Sequence, residues 1–246
     1  MKNKTKLGLA VASIFAVFCT GASAASAVLV NQGYESGLAG WTSTTGTGSV
    51  AATGETSVGA GGNEWVIAPY ETQMAQLNSR GTSLSLSDPK NLDAFFGLSA
   101  GTIDAAIVGN VTNGAGIKQS FDGLSGETVT QFWDFVARDG AASANDSAFV
   151  VVNGHVTVLA SIQDGGIEVG NYGHSDWQSF NYTLPADGTY TLGFGVVNTR
   201  DFAFASTLFL DNQLVSSVPE PETYAMLIAG LGLLGFMAKR KNLSST

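Results

Sequence analysis

The sequence predicts an all-β fold: a jelly-roll-type antiparallel β-sandwich with a short helical insertion, flanked by an N-terminal signal helix and a C-terminal hydrophobic helix. Three observations predict it. Short runs alternate apolar and polar residues with period two. Turn residues separate these runs at close spacing. No repeat of roughly 20–50 residues is present, which argues against a solenoid.

The clearest element is Thr189 to Val197. Tyr190, Leu192, Phe194 and Val196 point one way, while Thr189, Thr191, Gly193 and Gly195 point the other, as in a half-buried strand. Phe180, Tyr182 and Leu184 repeat the alternation just upstream, and Pro185-Ala186-Asp187-Gly188 offers a turn, so the two runs read as a hairpin. Further strands are expected at Thr82–Ser87, Thr128–Ala137, Ser147–Val152, His155–Ala160 and Thr207–Leu210, with Asn153-Gly154 as the tightest turn signal. Leu92 to Val108 departs from this pattern and predicts one or two helical turns, with Ser99 as N-cap. Gly46 to Gly62 is rich in Gly, Ser, Thr and Ala and reads as a surface loop.

Both ends carry signals, which divide the chain into 1–27, 28–217 and 218–241. Lys2, Lys4 and Lys6 precede the apolar run Leu7–Phe18, and cleavage sites follow at Ala24 and Ala27, each ending an Ala-Ser-Ala triplet. Twelve apolar residues fall short of the roughly 20 that span a bilayer, so a removed secretion peptide is expected. The bulky Phe18 before Cys19 argues against a lipoprotein. Cys19 is the chain's one cysteine, so the mature protein lacks disulfides, thiolate metal sites and a cysteine nucleophile. An ectodomain of this length can bury a sufficient core without them.

Charge is concentrated once the signals are set aside. Residues 28–218 hold five cations (Arg80, Lys90, Lys118, Arg138, Arg200) and eighteen acids, a net charge of −13. Such a surface repels nucleic acid phosphates and anionic headgroups. It suits divalent cations, neutral polysaccharide or plain solubility.

The tail runs Pro219-Glu220-Pro221, then Ala225–Ala238 without a charge, then Lys239-Arg240-Lys241. Fourteen apolar residues make a helix of about 21 Å, marginal against a hydrocarbon core of about 30 Å. The basic end would stay cytoplasmic and leave 28–217 outside. This order of parts resembles the PEP-CTERM sorting signal, a segment that also bears the name of a C-terminal domain of ice-binding proteins. The resemblance implies transient membrane anchoring, recognition by an exosortase after export by the general secretion machinery, cleavage near Pro-Glu-Pro, and delivery to the cell surface or an exopolysaccharide matrix. An ordinary C-terminal anchor is the alternative.

Between the signals, Leu29-Val30-Asn31-Gln32-Gly33-Tyr34-Glu35-Ser36-Gly37 with Gly40-Trp41 resembles the first strand of galactose-binding-like and carbohydrate-binding jelly rolls. Ser206–Asn212 resembles their closing strand. Gly116–Phe121 through Asn145–Val150 is similar to a sandwich block recurrent in exported PEP-CTERM proteins. Galactose-binding-like domains place a structural calcium where first and last strands meet, and the resemblance puts Glu35 and Asp211 there, with oxygen ligands of the kind hard cations take. Asp139, Asn145 and Asp146 form a second acidic loop. Against both stands the ordinary use of Asp and Asn in turns.

Sugar binding would use aromatic faces at loops: Trp41, Trp65 and Trp177, with Tyr70 and Tyr172 nearby, whereas Trp133 reads as core. Catalysis has no comparable signal. His155 and His174 are the two histidines, and neither a Gly-x-Ser-x-Gly elbow nor a His-Glu-x-x-His motif occurs. The sequence therefore predicts a non-enzymatic exported protein associated with exopolysaccharide. A structural or adhesive surface protein, a glycan-cleaving enzyme and an ice-binding protein are the alternatives, the last resting only on Thr42–Thr47.

Overall fold

The computed structural model describes residues 29–44, 50–58, 64–80, 82–83, 92–140, 144–201 and 203–212. The two terminal signals, with Ala24, Ala27, Pro219 to Pro221 and Lys239 to Lys241, lie outside these residues. So do Leu84 to Ser87 of the predicted strand. In chain order the elements are β1 (Thr42–Ser43), β2 (Val50–Thr53), β3 (Glu55–Val58), β4 (Glu64–Ile67), β5 (Met74–Asn78) and β6 (Thr82–Ser83). The helices α1 (Leu92–Phe96) and α2 (Thr102–Ala106) follow. Then come β7 (Val111–Gly123), β8 (Thr128–Val136), β9 (Ser147–Val152), β10 (His155–Ser161), β11 (Ile167–Glu168), β12 (Gln178–Thr183), β13 (Gly188–Thr199) and β14 (Thr207–Asp211).

Two sheets make the sandwich. One has the order β1-β7-β13-β9-β10-β11, with β6 also on β7; the other runs β12-β8-β14-β5-β2. The pairs are antiparallel except β10 with β11. The core lies between them: Tyr190, Leu192, Phe194 and Val196 of β13 face Val129, Trp133 and Phe135 of β8 and Leu208 and Leu210 of β14. Trp133 belongs to this core, as its aromatic neighbourhood implied.

The predicted hairpin at 180–197 is not one. β12 pairs with β8 in the five-stranded sheet, while β13 lies between β7 and β9 in the seven-stranded sheet. The turn at 185–188 thus carries the chain across the sandwich. Phe180 meets Phe194 edge-on from the opposite sheet, with ring centroids 6.1 Å apart. Alternation fixes which face of a strand is apolar, not which sheet it joins. By contrast Asn153 and Gly154, both at positive φ (46° and 83°), close the β9–β10 hairpin as predicted.

β13 also differs from its predicted half-burial, because its second face is covered. α1 and α2 lie on the outer side of the seven-stranded sheet, where Leu92, Phe96, Ile103 and Ile107 pack on Phe149, Val151 and Val197. Glycine makes the contact close enough. A Cβ on Gly193 would come within 2.5 Å of the Phe96 ring, and one on Gly116 within 2.6 Å. Nor does Ser99 cap α2. Gly101 holds the N-cap position without a side-chain bond, and the Asp93 carboxylate reaches over from α1 to accept Gly101 N–H (2.8 Å) and Ile103 N–H (3.0 Å). A negative charge at that end is favourable for the helix, whichever residue supplies it.

Two further expectations are corrected. The predicted loop 46–62 contains both β2 and β3. Residues 30–40, expected as a first strand, form successive turns with Asn31, Tyr34, Gly37 and Gly40 at positive φ. Asn31 organises them: its carboxamide donates to Gly37 O and Ala39 O and accepts from Ser36 N. The Gln119 side chain replaces a partner strand, accepting from Val30 N and donating to Val30 O and Gly40 O.

Candidate functional site

The start and end of the sandwich meet at a cleft of about 330 Å³ lined by Gln32, Glu35, Tyr70, Glu71 and Asn212. Glu35 accepts the N–H groups of Thr72 and Gln73 (2.9 and 2.7 Å) and the Thr72 hydroxyl (2.8 Å). Burial alone would raise its pKa, but these donors outweigh it and hold the carboxyl below its ordinary value. Asp211, at the end of β14, accepts Tyr70 N–H (3.0 Å) and Asn212 N–H (2.7 Å). Its burial pushes the pKa up to about 7, against those bonds and with help from the Glu35 charge. Beneath it the buried Tyr34 hydroxyl has no hydrogen-bond partner among the described residues, and burial followed by the Asp211 charge raises its pKa well above that of a free phenol. Both carboxylates thus grip the segment 70–73, and two acids with opposite shifts share one corner.

The second feature lies on the outer face of the five-stranded sheet. Register sets its rows: Val136, Thr207 and Asn78 side by side, then Asp134, Phe209 and Gln76. Val66 of β4 and Trp177 cover the apolar part of this face, packing on Met74, Val136 and Phe209. The polar part remains open as a cleft of about 680 Å³, floored by Gln76, Asn78 and Thr207 and walled by Arg80, Arg138 and the 203–205 segment. Phe204 stands 64 % exposed there, at φ 48°.

Beside this face, His174 Nδ1 lies 3.6 Å from Asp134 Oδ2 and 3.6 Å from Asp176 Oδ1. Ser175 turns its hydroxyl to Asp134 Oδ1 (3.1 Å) and accepts Phe135 N–H (2.9 Å). Burial raises the Asp134 pKa, offset by the nearby His174. A nucleophilic serine needs its proton directed at a base held by a third group. Here the serine hydroxyl faces the Asp134 carboxylate and the Asp176 carbonyl oxygen (3.0 Å).

Residues 217–241 match the PEP-CTERM protein-sorting motif. That motif indicates export and sorting to the cell surface, and it implies an exosortase. The sandwich is similar to TmCBM61 solved in complex with β-1,4-galactotriose, at 11 % identity and TM-score 0.36 over 76 % of this chain and 95 % of that one. It is similar also to the K3 cleaved adhesin domain of Lys-gingipain from Porphyromonas gingivalis (16 %, TM-score 0.36, 76 % and 96 %). TmCBM27, a carbohydrate-binding module studied for mannan recognition, aligns at 14 % and TM-score 0.33 over 77 % and 94 %. No curated protein matches the chain at significant similarity. Among the described residues no helix is long and apolar enough to cross a membrane.

The structure sorts the sequence candidates. Trp41 is 7 % exposed, tilted on Tyr34 at 5.5 Å with its indole N–H on Asn31 O, so its ring belongs to the core and offers no platform. Trp177 is half-buried over the second sheet. Trp65 lies in β4, its backbone paired with Ser57. Tyr70 lines the smaller cleft, and Tyr172 is 47 % exposed. Glu35 and Asp211 do come together. In the other loop, Asp139 Oδ1 accepts Gly140 N–H, and Asn145 donates to Val108 O and accepts Gln163 N–H. Asp146 accepts Thr199 N–H (3.1 Å) and the Ser206 hydroxyl (2.7 Å). Its pKa rises to about 7, chiefly through burial. Among the described residues no three acidic or histidine side chains converge as a metal site would have them. The arginines, Phe204 and the amides of the larger cleft were not singled out by sequence reasoning. Their signal was the scarcity of cations, two of five in 28–218 meeting here.

Proposed function

We propose that this chain is a non-enzymatic, exosortase-sorted surface protein that holds exopolysaccharide in the larger cleft. The observation that carries the reading is the cleft itself. It has the size of a small-ligand site, is open to solvent, and joins amide and hydroxyl groups to an exposed aromatic ring. A sugar ring stacks its C–H face on Phe204, while Gln76, Asn78 and Thr207 bond its hydroxyls. Several polar contacts with one aromatic anchor suit retention of a polymer, since repeated weak contacts add through avidity. Removal of the tail would leave the sandwich free to join the matrix.

Calcium at the smaller cleft is a second proposal. Glu35 and Asp211 would hold it, and the ion would supply charge neutralisation where two carboxylates share a corner. Glu35 Oε1 already accepts two N–H groups, but Glu35 Oε2 and both Asp211 oxygens accept one donor each and keep a lone pair, so three oxygens fit a hard cation completed by carbonyls and water.

The test is pull-down of the full-length chain on the producer's exopolysaccharide. Phe204→Ala and Gln76→Ala should each reduce retention several-fold with an unchanged melting temperature. Retention unaffected by both would refute the cleft as the site.

A further inference from the structure

The distribution of positive charge goes further than the glycan reading, on which the following rests. In a segment of net charge −13, Arg80 and Arg138 line one cleft, and no Asp or Glu lines it among the described residues. The other cations are placed differently. Lys118 donates its ammonium to Phe95 O and sits 4.9 Å from the Phe95 ring centroid. Lys90 lies outside the described residues, and Arg200 follows β13 with its backbone N–H on Asn110 O. Arg80 is exposed, and its guanidinium makes no ion pair among the described residues. Arg138 is half-buried, its backbone N–H on the Ser206 hydroxyl. Asp201 accepts Ala203 N–H, and Asp146 accepts from Thr199 and Ser206.

We infer that the cleft selects a carboxylated glycan, seating the carboxylate of a uronic acid residue against Arg80, beside Arg138, with the sugar ring on Phe204. The guanidinium fork matches a carboxylate in two parallel hydrogen bonds, which a neutral sugar cannot supply. The acidic remainder of the surface repels a polyanion. At physiological salt, however, charges beyond about 8 Å are largely screened, so the local pair decides. The same surface then disfavours binding anywhere but the cleft, which makes recognition site-specific rather than a general charge attraction.

The experiment compares binding of the full-length chain to polygalacturonate, to its carboxyl-reduced neutral counterpart and to dextran sulfate. Polygalacturonate should bind about tenfold or more tightly than the reduced polymer, and the preference should vanish in Arg80→Gln and weaken in Arg80→Lys. Arg80 is exposed, so an unchanged melting temperature verifies that these variants fold. Equal binding to the carboxylated and reduced polymers, still lost on Gln76→Ala, would overturn the inference and leave the glycan reading standing. Dextran sulfate binding as tightly as polygalacturonate would overturn the carboxylate assignment. Failure to bind any of the three would also overturn the inference, while the pull-down on the producer's exopolysaccharide decides the glycan reading separately.

Discussion

The two outer faces of the sandwich are built from similar strands and treated in opposite ways. On the seven-stranded sheet, α1 and α2 seal the surface, and Gly116 and Gly193 let Phe96 lie directly on the backbone. On the five-stranded sheet, Val66 and Trp177 cover only the apolar rows, and the polar rows stay open beside Phe204 and two arginines. Each sheet needs one buried face for the core. What happens on the other face is a separate choice: here one is closed by helices and the other left open, and it is on the open face that we propose a glycan binds.

The strongest way to break this contrast is to unseal the first face. Phe96→Ala should cost about 3–5 kcal/mol, the range for a buried aromatic truncated to a methyl, because it empties the space above the glycines. Chemical denaturation reads the loss. A cost below about 1 kcal/mol would mean that the helices only rest on the sheet.

A smaller effect tests how the two sheets are joined. Asp146 bonds Thr199 on one sheet and Ser206 at the entry to β14 on the other. Burial lifts its pKa to about 7, so the folded state keeps a proton that the unfolded chain releases near pH 4. Stability contributed by that proton is fully present below about pH 4. It is lost as pH rises toward 7 and is gone above it, on the order of 2–4 kcal/mol. Asp146→Asn should flatten this dependence, since Oδ1 still accepts from Thr199 and Ser206 can rotate to accept from the amide. An unaltered profile in melts from pH 4 to 8 would count against it.

The smallest effect concerns the corner where Glu35 and Asp211 meet. If Glu35 and Asp211 hold calcium, millimolar Ca²⁺ should raise the melting temperature by a few degrees, as a ligand well above its Kd does. The rise should be larger at pH 8 than at pH 5, because Asp211 binds the ion only when deprotonated near or above pH 7. Glu35→Gln should abolish the rise. A melting temperature indifferent to both calcium and chelator would end the proposal.

Local features were legible in the sequence. Asn153-Gly154 specifies its hairpin because the two left-handed residues are adjacent. The alternation of Tyr190 to Val196 marks the core face because burial there follows the pleat. Features that depend on tertiary partners were not legible. Gly193 and Gly195 have no side chain to signal a covered face, and residues 92–108 announce helical turns without saying where they dock. Asp93 caps α2 across a turn between helices, while Ser99, the local candidate, supplies only its carbonyl. The larger cleft joins residues 76–80, 138 and 203–207, a grouping that exists only once β14 lies beside β5 and β8. The Glu35–Asp211 corner was reached through resemblance, and Trp41 was misplaced because a turn-flanking tryptophan looks the same whether its ring points out or in.

The most direct measurement is hydrogen–deuterium exchange of the full-length chain with and without the producer's exopolysaccharide. Binding on the open face requires slowed exchange in 74–80 and 203–209 and unchanged exchange in 92–107. Protection confined to 92–107, or none in either region with the polymer bound, would contradict it.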